Sequence, residues 1–367
     1  MSGPLARLLR ERAVRRGMWC GADAALAFTD TADEWRALDS GAGLVDATWR
    51  RTLIATGDER ALFLHGQTTN DIRSLGAGLG CAAIVLTAQG RPLALTALYN
   101  DGDRMLLVSS AAEVAATRAA LERFLVADDC EFEEEPEAET LMLVGAEAGK
   151  LLSAVGVEGA ATLAAGDRWG LARAVVGGQE VLVLSRGDLR VPCYELHAVD
   201  TAGTATDAAQ VWKVLQEAGA RPCGLEAYDI LRVESGTASY GVDVDESRIA
   251  VEARLEWAIH FAKGCYVGQE VIERAVSRGR INHQLTLLAC AQPLPVGARA
   301  TAGGQDDVVT SCVVSPRLGP IALGYLPREL AGELGEAGAE VEFERDGRRF
   351  AARVLEWPRA VVLAGRG

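Results

Sequence analysis

Lysine is scarce in this chain: Lys150, Lys213 and Lys263 stand against 34 arginines in 367 residues. Long apolar runs are missing as well, and no stretch reaches the roughly 18 residues that a membrane span requires. The opening MSGPLARLLRERAVRRG carries five arginines and one acid without the apolar core of a secretory signal, so an ordinary cationic helix is expected there. Cys-x-x-Cys is absent. The eight cysteines, at 20, 81, 130, 193, 223, 265, 290 and 312, lie at least 22 residues apart, and none pairs with a histidine at zinc-finger spacing. A locally held zinc or iron–sulfur cluster is therefore excluded from the reading, and no metal ligand is expected. Unpaired, scattered cysteines with no targeting segment point to a reducing cytoplasm. The balance of charge is acidic, with a net charge of −14 and a pI near 4.9, which excludes broad binding to phosphate backbones and gives no nucleic-acid partner.

What is present is ordinary globular material, 49% hydrophobic and 24% charged, long enough for two or three domains. Residues 52–55, 81–88, 93–99 and 104–109 read as strands of an antiparallel meander, with turns at Gln89-Gly90-Arg91-Pro92 and Asn100-Asp101-Gly102-Asp103. Ser110 and Glu113 form a capping box ahead of a helix. The acidic run Glu131 to Glu139 reads as a solvated connector. A small α+β module follows to about Thr201, with strands at 141–144 and 181–184 around a helix at 150–155. Asp207 caps a further helix, and 225–234 forms another. After Gln284 come short strands with glycine and proline punctuation: 285–290, 308–314, 321–326, 340–345 and 348–356. Asp346-Gly347 serves as a two-residue hairpin turn, and Val341 and Phe343 face inward. This C-terminal portion reads as a small β-barrel or sandwich.

The densest chemistry lies in Lys263-Gly264-Cys265-Tyr266-Val267-Gly268-Gln269-Glu270. Glycines let the main chain turn and bring a thiol to the surface, and a neighbouring ammonium favours thiolate. The opposing reading is an inert buried cysteine in a tight turn. Downstream, Arg274, Arg278, Arg280 and His283 form a cationic run, with Glu270 placed to pair with Arg274 if the stretch is helical. It suits the glutamate tail of a folate, a phosphate or an acidic client surface, and equally a solvated helix face.

The octapeptide resembles the signature of YgfZ-type folate-binding proteins, in the superfamily of the glycine-cleavage aminomethyltransferase (T-protein). The resemblance extends to Gly43-Leu44-Val45-Asp46, Leu64-His65-Gly66-Gln67-Thr68-Thr69-Asn70-Asp71, Leu231-Arg232-Val233-Glu234-Ser235-Gly236, Tyr240-Gly241-Val242-Asp243 and Leu323-Gly324-Tyr325. It implies an α+β fold of three domains around a central folate cavity: residues 1–130 with 202–283 as a discontinuous folate-binding core, 131–201 as a ferredoxin-like module, and 284–367 as a C-terminal barrel. It implies tetrahydrofolate or a derivative as cofactor. Glu234 matches the carboxylate that takes the pterin ring, a helix-surface ion pair with Arg232 being the alternative. Tyr240, Gly264, Gly268, Gln269, Glu270 and Arg274 complete the cofactor-binding set, and Cys265 with Lys263 supplies thiol function. The activity implied is support of iron–sulfur cluster assembly or repair, touching tRNA modification, with iron–sulfur clients or assembly factors as partners. The alternative is folate-dependent aminomethyl or methyl transfer. Against the alternative, Gln89-Gly90-Arg91-Pro92-Leu93-Ala94-Leu95-Thr96-Ala97 has no carboxylate where the aminomethyltransferase places an acid.

Overall fold

The computed structural model describes residues 3–135, 139–163, 169–198, 206–277, 281–331 and 338–358. Arg278 and Arg280 of the cationic run, and the end of the α+β module at Thr201, lie outside the described residues. The chain divides into two units. One comprises Met1–Leu64, Ile72–Ala82 and Thr96–Leu231, and the other His65–Asp71, Ala83–Leu95 and Arg232–Gly367.

In the first unit, strands β1 (Arg15–Trp19) and β2 (Ala22–Ala27) form a hairpin. The remaining strands are β3 (Gly43–Asp46), β4 (Arg50–Thr56), β5 (Leu79–Leu86), β6 (Pro92–Asn100), β7 (Met105–Ser110), β8 (Glu131–Glu134), β9 (Thr140–Val144), β10 (Trp169–Val176), β11 (Gln179–Arg186), β12 (Cys193–Ala198) and β13 (Arg221–Cys223), with the end of β5 from Ala83 and the start of β6 to Leu95 belonging to the second unit. They make one sheet in the order β13-β3-β9-β12-β11-β10-β5-β6-β7-β4-β8, so the strands of segment 131–201 continue the sheet of the front meander. Central strands such as Thr-Leu-Met-Leu-Val of β9 are buried throughout, as their unbroken apolar pattern requires. Trp212, Leu215 and Val211 from the helix Ala208–Glu217 pack with Phe28, Leu44, Leu143 and Tyr194 in the core of this unit. Asp207 caps that helix through Ala209 N at 3.0 Å and Gln210 N at 3.2 Å. Of the Ser110 capping box only the returning half forms among the described contacts: Glu113 Oε2 accepts from Ser110 N at 3.1 Å and Ser110 Oγ at 2.6 Å, while the helix itself starts at Val114 with Glu113 as its N-cap.

The acidic run departs from the solvated connector expected of it. Glu131–Glu134 is an edge strand on β4 with Phe132 buried and glutamates outward, a charged edge that discourages further pairing. Glu139 accepts from Leu5 N at 3.0 Å and Ala6 N at 2.9 Å, closing the N-terminus of the helix Pro4–Arg12. Charge density concealed both roles, because one buried phenylalanine is a small signal among glutamates.

The second unit carries β14 (His283–Cys290), β15 (Arg299–Ala300), β16 (Val309–Ser315), β17 (Gly319–Pro327), β18 (Glu340–Arg345) and β19 (Arg348–Val354), ordered β15-β18-β19-β14-β17-β16. Asp346 and Gly347 both adopt positive φ, 52° and 73°, which gives the hairpin its primed turn. Phe343 and Val341 face the core with Leu288, Leu326 and Val354. The expected barrel is a half-barrel. Its end strands β15 and β16 form no ladder with each other, although Arg299 bridges Val308 and Val309 N donates to Ala298 O at 2.9 Å beside them. The molecule is a mixed α+β fold, and among the described residues no helix is long and apolar enough to cross a membrane.

Candidate functional site

The signature octapeptide belongs to the second unit, where it leads into the helix Gln269–Ser277. Two glycines shape it in different ways. At Gly264, φ is +101° and a Cβ would meet nothing within 4 Å, so only the turn conformation calls for glycine. At Gly268, φ is +82° and a Cβ would stand 2.5 Å from Thr87 O and 3.2 Å from Gly90 Cα. The tip of the β5–β6 hairpin therefore lies against the signature main chain. That tip is fixed by Thr87 N to Arg91 O at 2.9 Å and Gly90 N to Thr87 O at 2.9 Å.

Residues 65–71 form the other wall. Thr69 Oγ1 donates to Ala258 O at 2.6 Å and accepts from Ile84 N at 2.9 Å, while His260 N donates to Thr69 O at 2.9 Å. Lys263 is buried. Its ammonium donates to His65 O and, at 2.6 Å, to Thr68 O, and sits 5.0 Å from the centroid of the Tyr266 ring. Two carbonyls and an aromatic face thus engage the cation that the sequence sets two residues from the thiol. In return, the His65 ring places Nε2 3.1 Å from Lys263 O and Nδ1 3.0 Å from Asp71 Oδ1.

Cys265 is the one exposed residue among the eight cysteines, all of which are free thiols. Burial pushes the Cys130 thiol up to about 11 and Cys290 up to about 12, and raises Cys193 and Cys223 further. Those thiols are inert by environment.

The remaining expected site residues are spread through the same unit. Glu234 is buried at the end of its helix, accepting from Ser315 Oγ, with Arg317 Nη2 at 3.5 Å from Oε2. Arg232 instead pairs with Asp243, donates to Thr237 O at 2.9 Å and reaches Ser311 Oγ at 2.9 Å. Asp243 also accepts from Ser239 N, Thr310 Oγ1 and Ser311 Oγ. The Arg232 and Asp243 motifs therefore meet as a buried ion pair that ties residues 232–243 to β16 of the C-terminal sheet. Tyr240 is half-buried, its hydroxyl 3.5 Å from Pro92 O. Gln269 donates to Glu273 at 2.5 Å, and Glu270 pairs with Arg274 on an exposed helix face.

The same unit holds buried polar atoms that the sequence reading missed. Arg254, in left-handed conformation at φ 54°, donates Nε to Leu285 O at 2.9 Å and sits 5.1 Å from the Trp357 ring centroid. Glu256 is buried close by, and burial raises its carboxyl to about 7. Arg254 Nη2, Glu256 Oε2 and the Tyr266 hydroxyl are buried without a hydrogen-bond partner among the described contacts. The signal was a charged pair in an otherwise apolar stretch, Ala253-Arg254-Leu255-Glu256-Trp257-Ala258.

The first unit holds a second constellation the sequence reading missed. Glu195 Oε1 lies 3.0 Å from Arg50 Nε and 2.9 Å from Arg186 Nη1, and Oε2 lies 3.0 Å from His197 Nε2. Asp188 pairs with Arg186. Burial works against ionisation of Glu195, but Arg50, the His197 hydrogen bond and Arg186 outweigh it and hold the carboxylate well below its usual range. A glutamate inside the apolar strand β12 and an arginine at one end of each of β4 and β11 were the available clue. Among the described residues no group of three or more His, Cys, Asp or Glu side chains comes together as a metal site.

With this geometry in place, comparison with known proteins is informative. The family model described as the GCVT N-terminal domain matches residues 9–263. An aminomethyltransferase of Rubrobacter xylanophilus is 31% identical over 309 residues, covering 82% of this chain and 80% of that protein. An aminomethyltransferase of Nostoc sp. is 26% identical over 366 residues, covering 97% of this chain and 94% of that protein. The crystal structure of glycine cleavage system aminomethyltransferase T from Bartonella henselae superposes with a TM-score of 0.83 at 23% identity, covering 98% of this chain and 97% of that one, a likeness of fold.

Proposed function

The chain belongs to the family of the GCVT N-terminal domain, and from that premise we propose that it is a folate-binding accessory factor for iron–sulfur cluster assembly or repair, working in the cytoplasm through Cys265. The observation that carries this reading is the placement of the thiol: Cys265 is exposed on a loop built by Gly264 and Gly268, while burial suppresses thiols elsewhere in the chain. A single thiolate is suited to transient contact with a client or with a cluster in transit, since stable cluster binding needs further ligands. Effects on tRNA modification would follow through cluster-dependent enzymes.

The cofactor in this reading is tetrahydrofolate or a derivative, and the donor set fits it. An ionised buried carboxylate accepts parallel N–H bonds from an aminopyrimidine edge. Glu195, held ionised by Arg50, His197 and Arg186, is such a carboxylate in the first unit, and Glu234 is a buried carboxylate of the second. The unpartnered hydroxyl of Tyr266 and Nη2 of Arg254 suit a polar ligand. When bound, a reduced folate supplies one-carbon chemistry. The chain's own part is to orient the pterin through a carboxylate and to exclude water with its buried walls.

A second reading, aminomethyl or methyl transfer, is favoured by the names of the relatives. The hairpin tip beside the signature counts against it, since Arg91 stands in the turn and donates to Glu246 O.

The deciding experiment is rescue of cluster-dependent enzyme activity in cells lacking this protein, with wild type and Cys265→Ser at matched levels. Rescue by wild type alone supports the accessory role. Equal rescue demotes the thiol to structure. No rescue by either, together with turnover of a one-carbon donor, establishes the transferase.

A further inference from the structure

His65 has an unusual set of partners. Its Nδ1 faces Asp71 Oδ1 at 3.0 Å and its Nε2 faces the main-chain carbonyl of Lys263 at 3.1 Å. A carbonyl oxygen only accepts, and so does an ionised carboxylate, so each ring nitrogen must donate. The ring that makes both bonds is an imidazolium. Among the described contacts, the charged groups at His65 are Asp71 from its own segment and Lys263 from the signature.

We infer that His65 carries a proton on both ring nitrogens and in that state clamps the main chain at Lys263, two residues before Cys265, so that the reactivity of this thiol follows the ionisation of the His65–Asp71 pair. His65 is a positioning residue here, acting through the loop. As pH rises, a base in solution takes one proton from the imidazolium. Asp71, the stronger acceptor, keeps Nδ1–H, so it is Nε2 that loses its proton and turns a lone pair toward Lys263 O. The bond becomes a repulsion, and the loop loses this hold while the Lys263 ammonium still donates to His65 O and Thr68 O. The inference rests on the clamp alone and requires neither folate nor client.

The test is alkylation of Cys265 in the full chain by iodoacetamide between pH 6 and 9, followed at the Cys265 peptide by mass spectrometry and divided by the thiolate fraction read from ultraviolet absorbance against Cys265→Ser. The normalised rate should rise roughly threefold to tenfold across a single step, the scale of one lost hydrogen bond. His65→Gln, which cannot titrate, should abolish the step. Asp71→Asn, at a part-exposed position, should move it to lower pH and serves if His65→Gln does not fold. Nitrogen NMR of the wild-type ring at neutral pH should show two protonated nitrogens. A single-tautomer spectrum there, a flat normalised rate, or an unchanged step in His65→Gln or Asp71→Asn would overturn the inference.

Discussion

Gly268 and Gly90 meet backbone against backbone: a Cβ on Gly268 would stand 3.2 Å from Gly90 Cα and 2.5 Å from the carbonyl of Thr87. Gly264, four residues earlier, has the more positive φ but open space around it. The two glycines therefore separate conformational strain from steric exclusion. Gly264→Ala should cost about 1–2 kcal/mol for left-handed backbone alone. Gly268→Ala adds a clash with main-chain atoms that cannot rotate away, and should cost at least twice as much. Urea unfolding of both variants checks this, and equal losses would contradict the close approach.

Lys263 donates to two carbonyls inside the fold and faces the Tyr266 ring. Replacing it by methionine keeps the stem and removes the ammonium, leaving two buried acceptors that lose a charged partner. Lys263→Met should lower stability by roughly 2–4 kcal/mol. A loss under about 1 kcal/mol in chemical denaturation would mean that the ammonium is not committed to these carbonyls.

Much of this was legible in the residues. The hairpin Asp346-Gly347, the Asp207 cap and the Ser110–Glu113 pairing were read directly, because each is a local device whose partner lies within a few positions. The turn in the signature was legible for the same reason, since glycines report backbone conformation. What the sequence withheld was long-range. Lys263 is 195 residues from Thr68, and Arg232 meets Ser311 across 79. A lysine beside a cysteine suggests a tuned thiol until its side chain is seen to turn inward. Glu195, Arg50 and Arg186 were invisible as a group because each sits on a different strand or strand end.

Glu256 gives a pH dependence with a definite sign. Burial raises its carboxyl to about 7, above its unfolded value, so the folded state binds more protons between about pH 4.5 and 7. Its contribution is undiminished below the unfolded value and becomes a penalty as pH rises through 7. The size is on the order of 3 kcal/mol. Glu256→Gln should therefore stabilise the protein at pH 8 relative to wild type and change little at pH 5. Paired denaturation curves at the two pH values check it, and the same difference at both would remove Glu256 as the source.

Which carboxylate serves the pterin is decided by comparing two variants. Glu234 already accepts from Ser315, whose hydroxyl also caps the turn at Arg317 N and Leu318 N, so part of its role is to hold that turn. Ser315→Ala isolates this part and should cost about 1 kcal/mol of stability while leaving folate affinity within about twofold. Glu234→Gln keeps the shape, gives up the charge that the aminopyrimidine edge needs, and should weaken binding of 5-methyltetrahydrofolate about tenfold or more by calorimetry. Glu195→Gln is the necessary counterpart. It leaves Arg50 and Arg186 short of a counter-charge and should cost roughly 3–5 kcal/mol in stability, so its affinity is measured on protein shown to be folded. If Glu195→Gln loses folate and Glu234→Gln retains it, the pterin carboxylate is Glu195, and Glu234 belongs to the turn it caps.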